Sequence, residues 1–234
     1  MIVVCNGMLR SGSSLQFNLA RLLVQAAGHR DVKTAFVERP TEQDIQALVA
    51  QGRPLVLKTH HFPLHDLYQR LGVRVLYCHR DLRDVAASIR KKWNEPFDEI
   101  LDDLNYMRAV QAQLGALPDG MLLSQPYALL SRHPDRAAQA IATHLDLDLT
   151  LTDIRRVADQ LDLRAVQRGL SDRSRRDWAK VNGVDPITYF HHNHISADQG
   201  QDGTWRTQFS QAELRRLEDV IAGPVPTSAE WAAA

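Results

Sequence analysis

The chain has 234 residues and carries 28 basic and 28 acidic side chains, so its net charge is zero with the histidines neutral. That length suits one domain with an ample core, and 44% hydrophobic with 24% charged residues excludes a disordered or fibrous chain. The charge balance speaks against a general nucleic-acid binder, which needs a net basic face, and no apolar run approaches the roughly 18 residues of a membrane span.

The elements follow in chain order. Ile2-Val3-Val4-Cys5 reads as a strand, and Ser13 to about Ala27 as a helix with Leu15, Leu19, Leu22, Leu23 and Ala26 on its apolar face. Lys33–Val37 is a strand. Thr41–Val49 is a helix with Thr41 and Asp44 in capping-box positions. Pro54–Lys58 is a strand, about Pro63–Leu71 a short helix, Val73–Cys78 a strand and about Leu82–Trp93 a helix. Met121–Ser124 is a further strand. From about Pro134 the pattern is helical, ending with Ser210 to about Ile221, where Ser210 and Glu213 again fit a capping box. The stretch from Asp185 to Gly203 is irregular and holds three histidines, which suits a long functional loop. The expected organisation is one α/β domain over 1–222, a central parallel sheet flanked by helices, with a loose tail over 223–234.

Cys5 and Cys78 each lie inside an apolar run. Two buried thiols make no disulfide framework and point to a reducing compartment. With a strand starting at Ile2 there is no charged leader region, so a cytoplasmic location is the expectation. Arginines outnumber lysines 23 to 5. That ratio suits planar, bidentate binding of phosphate or sulfate in a local pocket, although a GC-rich coding bias produces it too.

In open parallel sheets ligands bind at the carboxyl ends of the strands. Three such ends carry chemistry. After the first strand comes Gly7-Met8-Leu9-Arg10-Ser11-Gly12-Ser13-Ser14 and then a helix. It approaches the phosphate-loop pattern G-x-x-x-x-G-K-[ST], with Ser13 where the lysine belongs. Such a turn aims backbone N–H groups and the positive end of a helix dipole at an anion. The missing lysine disfavours a nucleoside triphosphate kinase. The second end is Lys58-Thr59-His60-His61, where a charged lysine closes a buried strand and His60 is a candidate general base. The third is His79-Arg80-Asp81-Leu82 with Ser88 two helical turns on. Its His-Arg-Asp-Leu is a false match to a protein-kinase catalytic loop, because the required asparagine and companion motifs are absent.

Taken together, these pieces resemble the sulfotransferases that use 3′-phosphoadenosine 5′-phosphosulfate (PAPS). The family's Lys-Ser-Gly-Thr-Thr loop is matched by Arg10-Ser11-Gly12-Ser13-Ser14, and its Lys-Thr-His by Lys58-Thr59-His60. Its 3′-phosphate motif, an arginine and a serine eight positions on with Asp-Val between, is matched by Arg80, Asp84-Val85 and Ser88. Tyr127 and Pro134 echo a later strand end, and Gly203-Thr204-Trp205-Arg206-Thr207-Gln208-Phe209-Ser210 resembles the family's Gly-Asp-Trp-Lys-Asn-His-Phe-Thr. The landmarks run from residue 3 to residue 210. There are departures. Arg10 replaces lysine, Ala128 and Leu129 replace an acid pair, and Asp198-Gln199-Gly200 stands where the family has Arg-Lys-Gly on the 3′-phosphate. His192, His194, Arg173, Arg175 and Arg176 are the nearby candidates to replace that grip.

The resemblance implies in-line sulfuryl transfer from PAPS, releasing 3′-phosphoadenosine 5′-phosphate (PAP), without a metal. Arg10 and Ser11–Ser14 would hold the 5′-phosphosulfate, and Arg80 and Ser88 the 3′-phosphate. Tyr127, Trp205 and Arg206 would line the nucleotide site. Lys58 and Arg10 would stabilise the transferring group, and His60 would take the acceptor's proton. The lack of a membrane span and of a charged leader region favours a small or carrier-bound acceptor, with a hydroxyl as the first expectation, and a monomer or homodimer is the default expectation. Trp93, Phe97, Tyr106, Phe62, Tyr189 and Phe190 are candidates for the acceptor pocket, each with a core position as the commoner role of an aromatic at helical spacing. His191-His192-Asn193-His194 lacks cysteines or carboxylates at supporting spacing for zinc. The competing readings are a P-loop small-molecule kinase and a non-catalytic PAP- or PAPS-binding protein.

Overall fold

The computed structural model describes residues 1–161, 188–190 and 200–227. Five strands, β1 (Ile2–Gly7), β2 (Lys33–Phe36), β3 (Leu55–Lys58), β4 (Arg74–His79) and β5 (Leu122–Pro126), form one sheet in the order β2-β3-β1-β4-β5. All four pairings are parallel. The helices among the described residues are α1 (Ser13–Ala26), α2 (Glu42–Val49), α3 (His65–Leu71), α4 (Leu82–Trp93), α5 (Phe97–Gly115), α6 (Tyr127–Arg132), α7 (Pro134–His144), α8 (Leu151–Asp159) and α9 (Gln211–Ala222). A 3-10 turn spans Thr204–Thr207. None of these helices is long and apolar enough to cross a membrane.

The near-continuous apolar strands of the sequence are buried on both faces, as a parallel sheet requires. Successive side chains of a strand alternate between faces. Val3 and Cys5 accordingly join Val56, Leu76 and Cys78 in a core with Phe17, Leu19 and Leu23 of α1, Ile141 of α7 and Ile154 of α8. Val4 joins Leu55, Leu57, Val75 and Tyr77 in a second core with Ile89 of α4, Ile100 and Leu104 of α5 and Leu217 of α9. The chain leaves β1 toward β2 and β3 on one side and later builds β4 and β5 on the other. The reversal lies between β1 and β4, and at such a switch point the loops splay apart to leave a crevice.

Two capping boxes stand where the sequence puts them, Thr41 with Asp44 and Ser210 with Glu213, and a third, Thr150 with Asp153, opens α8. Glu213 also binds Arg90 at 2.6 Å, and these partners hold its carboxyl down at about 2. Helix α5 is a difference from the sequence reading, which has no element between Trp93 and Met121. Its apolar side is regular, with Ile100, Leu104, Met107, Val110 and Leu114 buried. The buried Arg108 of α5 donates to the carbonyls of Gly223 (2.6 Å) and Pro224 (3.1 Å), so the expected tail is tied down where it begins. Residues 228–234 lie outside the described residues.

Gly7 closes β1 against β4, where an added Cβ would run into Cys78 Sγ. Gly7→Ala is expected to lower Tm by several degrees, an overpacking cost of about 1–3 kcal/mol. Adding Cys78→Ala should restore part of the loss. A thermal melt in which Gly7→Ala matches the parent would contradict this account of the β1–β4 contact.

Candidate active site

The turn from β1 into α1 is set by backbone geometry. Arg10 and Gly12 both have positive φ, 60° and 89°, and Gly12 is the N-cap of α1. A Cβ on Gly12 would sit 2.9 Å from the Tyr127 ring. The Ser11 hydroxyl points inward, 2.7 Å from the Met8 carbonyl and 3.0 Å from that of Cys78. It pins the loop to β4 and is not available to a ligand in this arrangement. Ser14 is different. Its Oγ is buried in the first turn of α1 without a hydrogen-bond partner, beside first-turn N–H groups that have no intrahelical acceptor. A buried hydroxyl left unpaired at the positive end of a helix suits an anion.

Lys58 and His60 form a second unit at the end of β3. The Lys58 side chain is buried, its Nζ 3.1 Å from His60 Nε2 and 4.6 Å from the centre of the Phe36 ring. His60 Nδ1 lies 2.7 Å from the Gly7 carbonyl. A carbonyl only accepts, so Nδ1 carries the proton and Nε2 keeps its lone pair toward the ammonium. Burial first, and then the Lys58 charge, push His60 down to about 3, against the opposing Gly7 hydrogen bond. Burial lowers Lys58 to about 8. A cavity of about 280 Å³ opens beside His60, walled by Leu9, Tyr106 and Met107 and by the charged Glu38, Arg39, Asp102 and Asp103. Burial and the neighbouring Glu95, Asp102 and Glu99 raise Asp103 to about 6.

The third unit follows β4. Arg80 is 6% exposed and stacks 4.6 Å over the Tyr127 ring. Its Nη2 donates to the carbonyls of Gly200 and Gln201, each at 2.8 Å, while its Nε is buried with no partner. Arg80, Tyr127, Asp202, Trp205 and Arg206 are among the walls of a second cavity of about 440 Å³. Trp205 packs beneath the guanidinium groups of Arg83 (4.7 Å) and Arg206 (4.4 Å). Ser88 Oγ accepts from Arg10 Nε at 3.0 Å. Burial lowers the pKa of Arg10, with Arg80 a further cause in the same direction.

No family model matches the chain, and no curated protein is similar to it by sequence. Its similarity is to solved structures. A mouse sulfotransferase, SULT7A1, complexed with PAP superposes with a TM-score of 0.68 at 12% identity, covering 94% of this chain and 82% of that one. Retinol dehydratase with androsterone and inactive cofactor PAP gives 0.64 at 17% identity, covering 94% and 79%. The same enzyme with retinol and PAP gives 0.65 at 18%, covering 94% and 80%. The fold is the sulfotransferase fold.

On that fold the residues singled out in the sequence gather at one edge of the sheet. His60 lines the first cavity with Lys58 behind it, and Arg80, Tyr127, Trp205 and Arg206 line the second. Arg10 and Ser88 are hydrogen-bonded to each other, and Ser13 and Ser14 open α1. Arg173, Arg175, Arg176, His192, His194 and the Asp198-Gln199 pair lie outside the described residues. Of the six aromatics, Tyr106 lines the first cavity and Trp93, half exposed, stands 5.9 Å from Arg10. Phe62, Phe97, Tyr189 and Phe190 pack in or against the cores.

Two contributors to the site were not assigned a role from the sequence. Asp84, 2% exposed, accepts the Gly203 N–H with both carboxylate oxygens, at 2.8 and 3.0 Å, and so fixes the turn that presents Trp205 and Arg206. Lys92 is lowered to about 8 by burial and by Arg10. It stands one helical turn beyond Ser88 on α4, and that i, i+4 spacing was the available signal. Asp84→Ala is expected to reduce hydrogen-exchange protection of the Gly203 amide tenfold or more, the scale of a bond to a charged acceptor. Unchanged protection would mean that another contact holds the turn.

Proposed function

We propose that this protein is an enzyme that transfers a sulfuryl group from PAPS to a small or carrier-bound acceptor, with a hydroxyl as the favoured nucleophile, and releases PAP. One observation carries the reading. Arg80 is a buried guanidinium with an unused Nε on the wall of a cavity, at the same sheet edge as the Lys58–His60 pair and the Ser14 hydroxyl. Buried cations and hydroxyls left part-satisfied are costly, and a polyanionic nucleotide satisfies all of them at once. PAP is bound in the solved structures of the same fold.

In this reading the 3′-phosphate lies across Nε and Nη2 of Arg80, and the 5′-phosphosulfate lies over the first turn of α1 beside Arg10. The acceptor enters the cavity beside His60. Its oxygen attacks sulfur, the bond from sulfur to the bridging oxygen breaks, and that oxygen leaves with the electron pair on PAP. Lys58 turns from His60 Nε2 to the bridging oxygen, where its charge offsets the negative charge that develops. That turn frees the Nε2 lone pair to take the acceptor's proton, with the Gly7 carbonyl holding the tautomer. The enzyme contributes position and charge, which is most of what such a transfer needs.

Calorimetric titration with PAP, ATP and 5′-AMP tests the donor site. PAP is expected to bind best, and Arg80→Ala to weaken it about a hundredfold, the scale of a bidentate charged contact. Preferential binding of ATP would move the kinase reading to the front. The acid–base assignment has its own signature. Lys58 is cationic below about 8 and loses its charge above it, while His60 is neutral from about 3 upward. The free-enzyme parameter kcat/KM should therefore be flat through pH 6–7 with no histidine limb, and fall as pH rises through about 8. Lys58→Arg should carry that alkaline limb upward. His60→Ala should lower kcat by about 10²-fold with PAP binding kept. A fully active His60→Ala removes it from the base role.

A further inference from the structure

We infer that Asp202 is a displaceable internal counter-ion for Arg80, and that Arg132 sets how easily an incoming phosphate displaces it. The inference rests on the donor reading above and adds to it two affinity-determining residues.

Arg80 is almost fully buried, so its charge needs a partner whether or not a ligand is present. What it has is lopsided. Nη2 reaches the two carbonyls at 2.8 Å and Asp202 Oδ1 at 3.5 Å, while Nε reaches nothing. A permanent carboxylate partner would lie side-on across Nε and Nη2, the strongest geometry the guanidinium offers. Asp202 is kept from that position by its other oxygen, which Arg132 Nη2 holds at 2.5 Å. Arg132 is 59% exposed, so its half of the arrangement is cheap to rearrange.

The phosphate therefore finds Nε vacant, and to share Nη2 it takes the place of a carbonyl contact there and of the loose Asp202 contact at 3.5 Å. Once it spans Nε and Nη2, a second anion beside it is repelled, and Asp202 retreats onto Arg132. The segment can yield there without unravelling, because the next residue, Gly203, is fastened by its N–H to Asp84. Asp202 thus opposes phosphate binding while it faces Arg80, and Arg132 limits that opposition.

The test is PAP affinity by calorimetry in the full chain and three variants. Asp202→Asn removes the competing charge and is expected to bind PAP about five- to tenfold more tightly, the scale of one like charge at short range near a surface. Arg132→Ala frees Asp202 to swing fully onto Arg80 and is expected to weaken PAP about fivefold. In the Asp202→Asn background, Arg132→Ala should change affinity less than twofold, because Arg132 acts through Asp202. PAP affinity in Asp202→Asn equal to or weaker than the parent overturns the inference and leaves the donor site standing. Equal weakening by Arg132→Ala in both backgrounds overturns the coupling and makes Arg132 a direct phosphate contact. Failure of PAP to bind any of the four proteins overturns the donor reading, and this inference with it.

Discussion

The rest of the site depends on a buried ammonium. Lys58 ends β3 inside the protein, and among the described residues no carboxylate pairs with it. Its near neighbours are the lone pair of His60 and the face of Phe36. Folding gains little from such a group, since the desolvation of a buried charge exceeds what a neutral acceptor and a ring return. The cost appears as the drop in its pKa and as the still larger drop in that of His60. Perturbed groups of this kind cluster where chemistry is done. Lys58, His60 and the Gly7 carbonyl form one chain from β3 to the end of β1, so the proton position on His60 is fixed by the backbone where the turn into α1 begins.

The fold supplies this arrangement through close packing at the switch point. Gly7 leaves room for Cys78, and Ser11 anchors the loop to the Cys78 carbonyl, so β1 and β4 move as one piece at their carboxyl ends. Tyr127 then lies between the loop and the 200–203 segment, close enough to Gly12 and Gly200 that neither position has space for a side chain. Arg80 stacks on the same ring. One aromatic face thus joins the loop expected to hold the 5′ end of a nucleotide to the arginine expected to hold its 3′ end. The two ends of such a ligand are positioned by a shared surface rather than by separate loops.

The sequence shows the strand ends well because glycine, lysine and arginine at the end of a buried apolar run have few structural reasons to be there. It also shows the capping boxes at Thr41 and Ser210, which are local rules with local partners. What it hides is long-range pairing. Eight-residue spacing singles out Ser88 on α4, but nothing in it tells that Arg10, 78 residues away, donates to the hydroxyl. Asp84 looks like an ordinary first-turn acid, and only the folded chain brings Gly203 to it across 119 positions. Helix α5 is a different case: its apolar residues recur at helical spacing, while Asp102 and Asp103 turn to the first cavity.

Charge is arranged around the two cavities by the same logic. The chain is neutral overall, yet its cations Arg10, Lys58 and Arg80 stand at the sheet edge, while Asp102 and Asp103 stand on α5 beside the first cavity. Two carboxylates near Arg80 have opposite duties. Asp84 is buried and bound to a backbone N–H, so giving it up would cost a desolvated charge, and it is structural. Asp202 is on the surface and shared between two arginines, so giving it up costs little. Burial, more than distance to the ligand, separates a carboxylate that holds the site together from one that a phosphate can push aside. The same criterion applies on the cationic side. Arg83 is satisfied by Asp81 and Glu218 and raised in pKa by them, whereas Arg80 is buried and part-satisfied. Of two arginines three residues apart on the rim of one cavity, the proposed phosphate belongs to the one whose hydrogen bonds the protein leaves unfinished.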